Sequence, residues 1–270
     1  MDGTASVGGD APLLTETCDE GVLRLTLNRP AQRNALSVGL MTALSKALDR
    51  AAADKACRVV VIAGAGPAFC AGHDLREFRA LDNENRREAY QRIFAQCSAL
   101  MLQIVHLPKP VIAEVHGTAT AAGCQLVATC DLAVAAADAR FATPGVDIGL
   151  FCSTPMVALT RAVGRKPAME MLLTGELIDA ATAKAIGLVN RVVPRPQLAT
   201  ATLALARQIA AKSALTLAIG KEAFYRQADL GLAEAYNYAS EVMTKNMLAQ
   251  DASEGIDAFL EKRPPVWQDA

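Results

Sequence analysis

Two short runs of small residues mark places where a backbone could do chemistry. One is Phe69-Cys-Ala-Gly-His-Asp-Leu75, and the other is Val115-His-Gly-Thr-Ala-Thr-Ala-Ala-Gly-Cys-Gln-Leu126. Glycine and alanine let a ligand approach the main chain, and N–H groups at a helix start carry partial positive charge. Two such N–H groups aimed at one oxygen form an oxyanion hole, which stabilises charge developing on a carbonyl oxygen. Either loop taken alone is more often just an ordinary tight βα turn. His73 could act as a base from the first loop, or be a hydrogen-bonded structural residue. Cys70, Cys152 and Ser153 are candidate nucleophiles; for the cysteines the alternative is a buried, inert thiol, since spacing places no base beside them. His106, at a helix end before Pro108, and His116, at a strand end, read as structural.

Other chemistries are excluded by what the chain lacks. It has no GxGxxG, no GxxxxGK[ST] and no GxSxG, so neither a dinucleotide site, a P-loop nor a nucleophile elbow is supported. Seven scattered cysteines with no CxxC and no Cys/His cluster argue against zinc, and no metal site is expected. They fit reduced thiols in a cytoplasmic protein. The 27 basic and 28 acidic residues give a net charge of −1, which leaves no electrostatic footprint for nucleic acid. The longest uncharged apolar stretch, residues 117–130, is shorter than the roughly 18 residues of a membrane span. With 52% hydrophobic residues over 270 positions, the chain can bury a full core.

Elements that could position the two loops follow from periodicity. Residues 22–28 alternate as a strand and end in a turn at Asn28-Arg29-Pro30. Ser37 can cap a helix whose apolar stripe is Leu40, Leu44, Leu48 and Ala52. Residues 58–63 form a continuous apolar run of the buried parallel-strand type, leading into the first loop. A polar helix over about 83–106 stops at Pro108 and Pro110, and a strand over 111–115 leads into the second loop. A helix from about Ala122 and a strand over 132–136 continue the alternation. Beyond Gly164 the chain turns helical, at 169–173, 180–186, 197–211, 215–226, 232–248 and 251–263, with one strand at 188–193. The fold class is therefore α/β with a helical tail. Residues 1–12 have no basic or apolar leader pattern and read as a disordered tail.

The chain resembles the crotonase (enoyl-CoA hydratase/isomerase) superfamily from Leu23 to Trp267. The resemblance is carried by Leu27-Asn-Arg-Pro-Ala-Gln-Arg-Asn-Ala-Leu36, by both loops, and by Phe141-Ala-Thr-Pro-Gly-Val-Asp-Ile-Gly149. Thr160-Arg-Ala-Val-Gly164, Leu173-Thr-Gly175, Gly187-Leu-Val-Asn190 and Gly255-Ile-Asp-Ala-Phe-Leu-Glu-Lys-Arg263 follow in the same order. Two segments, Ala121-Ala-Gly-Cys-Gln-Leu126 and Thr143-Pro-Gly-Val-Asp-Ile-Gly-Leu-Phe-Cys-Ser-Thr154, narrow it to one branch.

That resemblance implies a β/α spiral core over residues 13–195 and a C-terminal helical trimerisation region over 196–270. The implied assembly is a homotrimer or a dimer of trimers. It implies a coenzyme A thioester as substrate, no permanently bound cofactor, and a thioester oxygen held by the backbone N–H groups of His73 and Ala122. Ala35, through its backbone, and Arg76 would meet the CoA 3′-phosphate end, with Phe259 and Lys262 reaching it from the last helices of the same or a neighbouring subunit. The chain departs from the family where a hydratase carries two glutamates, because those positions are Gln125 and Gly145. An amide can orient water or an acyl group but cannot exchange a proton at neutral pH. Asp147, two positions past Gly145, would face the same side in an extended chain and is a candidate substitute carboxylate. Two functions remain open: acyl-CoA chemistry needing little acid–base help, and non-catalytic acyl-CoA binding.

Overall fold

The structure, a computed structural model, describes residues 13–81 and 84–270, so the tail expected over residues 1–12 lies outside the described residues. A hairpin opens the fold, with β1 (Leu14–Asp19) antiparallel to β2 (Val22–Leu27). β2 then lies parallel to β3 (Val59–Gly64), which pairs with β4 (Val111–Val115), then β6 (Leu132–Ala136), then β9 (Arg191–Val193). Three further strands, β5 (Thr118–Thr120), β7 (Arg140–Ala142) and β8 (Ile178–Asp179), form a second, smaller sheet. Each pass of the chain feeds the large sheet and then the small one, β4 to β5 and β6 to β7, so the backbone advances as a spiral. The second loop is thus partly a strand, too short for alternation to reveal.

The apolar run of β3 is buried on both faces. Val60 and Ile62 join the cluster formed with α1 (Val38–Ala53), α3 (Arg86–His106) and α4 (Ala122–Thr129); Val59 and Val61 pack against α8 (Leu198–Ala210). Each such side chain contributes about 1.5–3 kcal/mol of burial. Ser37 caps α1 by accepting the Leu40 N–H at 3.1 Å. Helix α8 supplies Leu198, Leu205 and Ala206 to the core, so the helical tail begins by completing the sheet's packing. A short helix, α2 (Leu75–Arg79), follows the first loop, and α5 (Ser153–Ala162), α6 (Arg165–Thr174) and α7 (Ala180–Ala185) lead to β9.

Beyond α8, α9 (Ala214–Gln227) and α10 (Leu232–Met247) pack loosely on the core, with no residue buried as a whole, although the Lys221 side chain is only 7% exposed. The buried Lys221 ammonium anchors α9 by donating to the Ile104 and Lys109 carbonyls, both at 2.9 Å, and to Asp131 at 2.7 Å. These anchors lie at the N-terminal ends of β4 and β6. α11 (Gln250–Glu261) is held by the chain that follows it. Asp251, itself buried, accepts the Gln268 and Asp269 N–H groups; Trp267 donates to the Ala211 carbonyl; and Asp269 pairs with Arg58, just before β3. No described helix is long and apolar enough to cross a membrane.

Candidate active site

The two small-residue loops leave the C-terminal ends of β3 and β4 and are stitched to one another. The Cys70 N–H donates to the Thr118 carbonyl (3.1 Å), the Thr120 N–H to the Cys70 carbonyl (3.0 Å), and the Thr120 hydroxyl to the Ala71 carbonyl (3.2 Å). The first loop is also pinned to the Asn34-Ala35-Leu36 segment. The Leu36 N–H donates to Gly72 (2.7 Å), and the buried Asn34 amide donates to the Ala65 and Ala68 carbonyls, both at 2.8 Å. Arg29 bridges Asp74 at 2.8 Å and donates to the Ala35 carbonyl at 2.6 Å. Burial opposes ionisation of Asp74, but the Arg29 guanidinium and the Arg76 N–H outweigh it and hold its carboxyl below the ordinary range.

Gly72 brings the loops into register. Its φ is +95°, and a Cβ there would lie 2.9 Å from the Ala121 Cβ and 3.4 Å from the Ala122 nitrogen. The amide nitrogen of His73 follows Gly72 directly. Ala121 has φ +49° and ψ −118° and carries no capping side-chain bond, so the Ala122 N–H opens helix α4 without an acceptor. Among the described residues, neither the His73 nor the Ala122 N–H donates a hydrogen bond. Two neighbouring, unengaged backbone donors at a helix start can hold a carbonyl oxygen that gains negative charge.

Apart from the Arg29–Asp74 pair, the candidate side chains near them are uncharged. Gln125 is 5% exposed on α4, and the Cys97 thiol lies 4.0 Å from its Oε1. Burial pushes Cys97 up to about 11, and Cys70 and Cys124 up to about 12; Cys152 is raised as well, with the Gly145 backbone opposing. None of these thiols has thiolate character at neutral pH. Ser153 is exposed and donates to the Phe151 carbonyl at 3.3 Å, with no base in contact. His116 is bonded to the Gly66 carbonyl at 2.8 Å, and His106 is exposed at the end of α3. Burial pushes the His73 imidazole below its ordinary value.

Gly145 is buried at a 3-10 turn, Pro144–Ile148, without positive φ. A Cβ there would lie 2.7 Å from the Leu150 carbonyl oxygen and 2.9 Å from the Cys152 sulfur. The same turn corrects the argument for Asp147. The chain is not extended, and at three residues per turn position 147 is rotated by about 240° from 145. Asp147 is exposed, and both carboxylate oxygens face Gly175, 3.2 Å from where its Cβ would be.

The residues expected at the CoA end are dispersed. Ala35 is buried, with its N–H given to Gln32 and its carbonyl to Arg29. Arg76 is exposed on α2, and Arg33, which the motif reading did not single out, is exposed beside the first loop, its carbonyl accepting the Ala71 N–H. Phe259 is 81% exposed on α11, and Lys262 caps that helix in left-handed conformation. The anchors of α11 lie at the start of β3, one six-residue strand, about 20 Å, from the loops that leave its other end. Phe78, Tyr90 and Phe94, also not foreseen, cluster around His73. Among the described residues no group of three or more His, Cys, Asp or Glu is arranged to hold a metal.

The spiral fold and the paired loops define a class, and the family model described as enoyl-CoA hydratase/isomerase matches residues 17–270, so this chain belongs to the enoyl-CoA hydratase/isomerase family. Within it, the branch indicated by the two narrower segments is that of enoyl-CoA hydratase domain-containing protein 3. The mitochondrial protein of that name from Xenopus laevis is 48% identical over 256 residues, covering 95% of this chain and 86% of the relative. The crystal structure of human enoyl Coenzyme A hydratase domain-containing protein 3 matches with TM-score 0.90 and 45% identity, covering 94% of this chain and 100% of that one. An enoyl-CoA hydratase structure from Mycobacterium smegmatis matches with TM-score 0.92 and 54% identity, covering 95% and 99%.

Proposed function

We propose that this chain binds acyl-CoA thioesters and holds the thioester oxygen between the N–H groups of His73 and Ala122, so that the α-carbon can carry enolate charge. The observation that carries the reading is that pair of unengaged donors, on two loops locked together by backbone bonds. The CoA phosphates have Arg76 and Arg33 at the exposed rim of the first loop, with the Ala35 backbone beneath. Phe259 and Lys262, anchored at the far end of the sheet, serve the pocket of another copy in a trimer or dimer of trimers. The exposed apolar residues of α9 and α10, among them Phe224, Leu232, Tyr236 and Met243, support such an assembly, and a sedimentation mass of a single chain at micromolar concentration would overturn it.

The reaction is one that needs little proton traffic, such as double-bond isomerisation, decarboxylation or thioester hydrolysis. Neither Gln125 nor Gly145 supplies a titratable group for hydration. The same absence favours a second reading, a non-catalytic acyl-CoA-binding protein. For location, seven free cysteines support a reducing compartment such as the cytoplasm; the Xenopus laevis relative is named mitochondrial.

A panel of saturated and unsaturated acyl-CoA thioesters, assayed for binding and turnover by mass spectrometry, tests the reading. Ala122→Pro removes one donor and also disturbs the helix start, since Ala121 before it has φ +49° and ψ −118°, so folding is checked alongside. It should lower turnover by about 10²–10³. Normal processing by that variant refutes the oxyanion assignment, whereas binding without turnover across the panel selects the second reading.

A further inference from the structure

We infer that the His73 imidazole, and not only its N–H, meets the substrate, and that the acyl group taken here carries a hydrogen-bonding oxygen beyond the thioester. The inference rests on the acyl-CoA reading of the two loops. Among the described residues, the fully buried side-chain polar atoms without a hydrogen-bond partner are three: both ring nitrogens of His73 and the hydroxyl of Thr143. Leaving such atoms unpaired is costly, and native folds tolerate it where something else completes them. Both residues belong to this site. Thr143 follows Ala142, whose carbonyl takes the Ala121 N–H, and precedes Gly145 by two positions.

The imidazole is held where it is by rings. Phe78 lies 5.5 Å and Phe94 5.7 Å from its centroid, and Phe78 packs on both Phe94 and Tyr90. The Leu36 carbonyl, which accepts the Asp74 N–H, is the backbone group nearest the ring and opposes the effect of burial on it without making a hydrogen bond of good geometry. Burial favours the neutral ring, which presents one donor and one acceptor. Gln125 on α4 and Thr143, two residues before Gly145, add an uncharged amide and an unpartnered hydroxyl next to the two positions where a hydratase would place carboxylates. Such groups hold an oxygen without taking its proton. A plain hydrocarbon chain would bury them unpaired, whereas an oxo- or hydroxyacyl chain would pair them. Sites of that kind discriminate strongly against analogues lacking the oxygen. Since the His73 N–H is the proposed thioester donor, its own side chain can reach the first few acyl carbons.

The experiment compares dissociation constants of butyryl-CoA, acetoacetyl-CoA and 4-hydroxybutyryl-CoA for the full chain. At least one oxygenated ligand should bind about tenfold or more tightly than butyryl-CoA. That ratio should fall to about one in His73→Phe, which keeps the aromatic packing, and recover in part in His73→Asn. A measurement without mutation accompanies it. The chain has three histidines, so long-range ¹H–¹⁵N spectra can follow the His73 ring, whose nitrogen shifts should move with the oxygenated ligand and not with butyryl-CoA. Equal binding of all three ligands, or unmoved ring shifts on binding, overturns the inference while leaving the acyl-CoA reading standing. Failure of every acyl-CoA to bind removes both.

Discussion

Restoring the two glutamates of a hydratase is the perturbation for which the structure gives opposite expectations at the two positions. Gln125→Glu is nearly isosteric. It places a buried carboxyl whose ionisation is opposed by desolvation, a suitable state for a general acid or base near neutral pH. Gly145→Glu cannot be accommodated as the backbone stands, because its Cβ would sit 2.7 Å from the Leu150 oxygen and 2.9 Å from the Cys152 sulfur. The sulfur can move; the carbonyl cannot, since Leu150 N–H is bonded to the Gly145 carbonyl at 2.9 Å and closes the turn. Overpacking of this kind costs about 1–3 kcal/mol, and opening the turn forfeits a hydrogen bond of about 1 kcal/mol. In a chain of this size that total of about 2–4 kcal/mol lowers the melting temperature by about 4–16 °C. Adding Cys152→Ala should recover only part of it. The assay is thermal denaturation beside hydration of crotonyl-CoA, followed by loss of enoyl absorbance. Wild type should hydrate very slowly, Gln125→Glu up to about 10²-fold faster, and Gly145→Glu should be destabilised before its rate can be judged. Wild-type hydration at ordinary enzyme rates, of order 1–10³ s⁻¹, refutes the proton-inventory argument, and an undisturbed melting temperature in Gly145→Glu refutes the steric one.

Lys221→Met removes the cation that Asp131 and two backbone carbonyls share, and Lys221 is almost wholly buried, so the loss should be about 3–5 kcal/mol in denaturant unfolding; a loss under 1 kcal/mol would show that α9 is held by other means. The lowered His73 value gives a pH dependence. The unfolded chain takes up a proton as pH falls through about 6.5, the folded one resists it until lower pH, and so stability is full above 6.5 and declines on acidification from there. His73→Phe should flatten that part of the curve, and an unchanged slope between about pH 6.5 and 5 would refute the assignment.

What could be read from the letters alone follows from how local each feature is. The run at 59–62 is apolar at every position because both of its faces are covered, and that is visible without knowing what covers them. Ser37 and the stripe Leu40, Leu44, Leu48 place α1, yet Ala52 is exposed and Ala51 buried. A four-residue step advances 40° beyond a full turn, so by the third step the stripe has left the core. The strands β5, β7 and β8 escaped because two or three residues show no alternation and their pairing is non-local. Phe78, Tyr90 and Phe94 carry no motif; Phe78 meets His73 from the short helix α2, and the return of α3 brings Phe94 to His73 and Tyr90 to Phe78.

Position 145 separates two kinds of information. That a glycine stands where a hydratase has a glutamate is legible by alignment of motifs, and it already removes a proton donor from the inventory. The physical content of the change is not. The Leu150 carbonyl and Cys152 sulfur occupy the volume into which a side chain at 145 would emerge, so glycine, the turn and the thiol fit as one unit. The same turn directs Asp147 to Gly175, 3.2 Å from where a Cβ there would lie. Gln125, by contrast, keeps the length of a glutamate and only the charge is gone. A site assembled this way has not merely lost two acids. It keeps two unengaged backbone N–H groups, those of His73 and Ala122, with the uncharged Gln125 amide on the helix that Ala122 opens. Under the proposed acyl-CoA reading, the His73 imidazole, buried and neutral, is what an oxygen on the acyl group would pair.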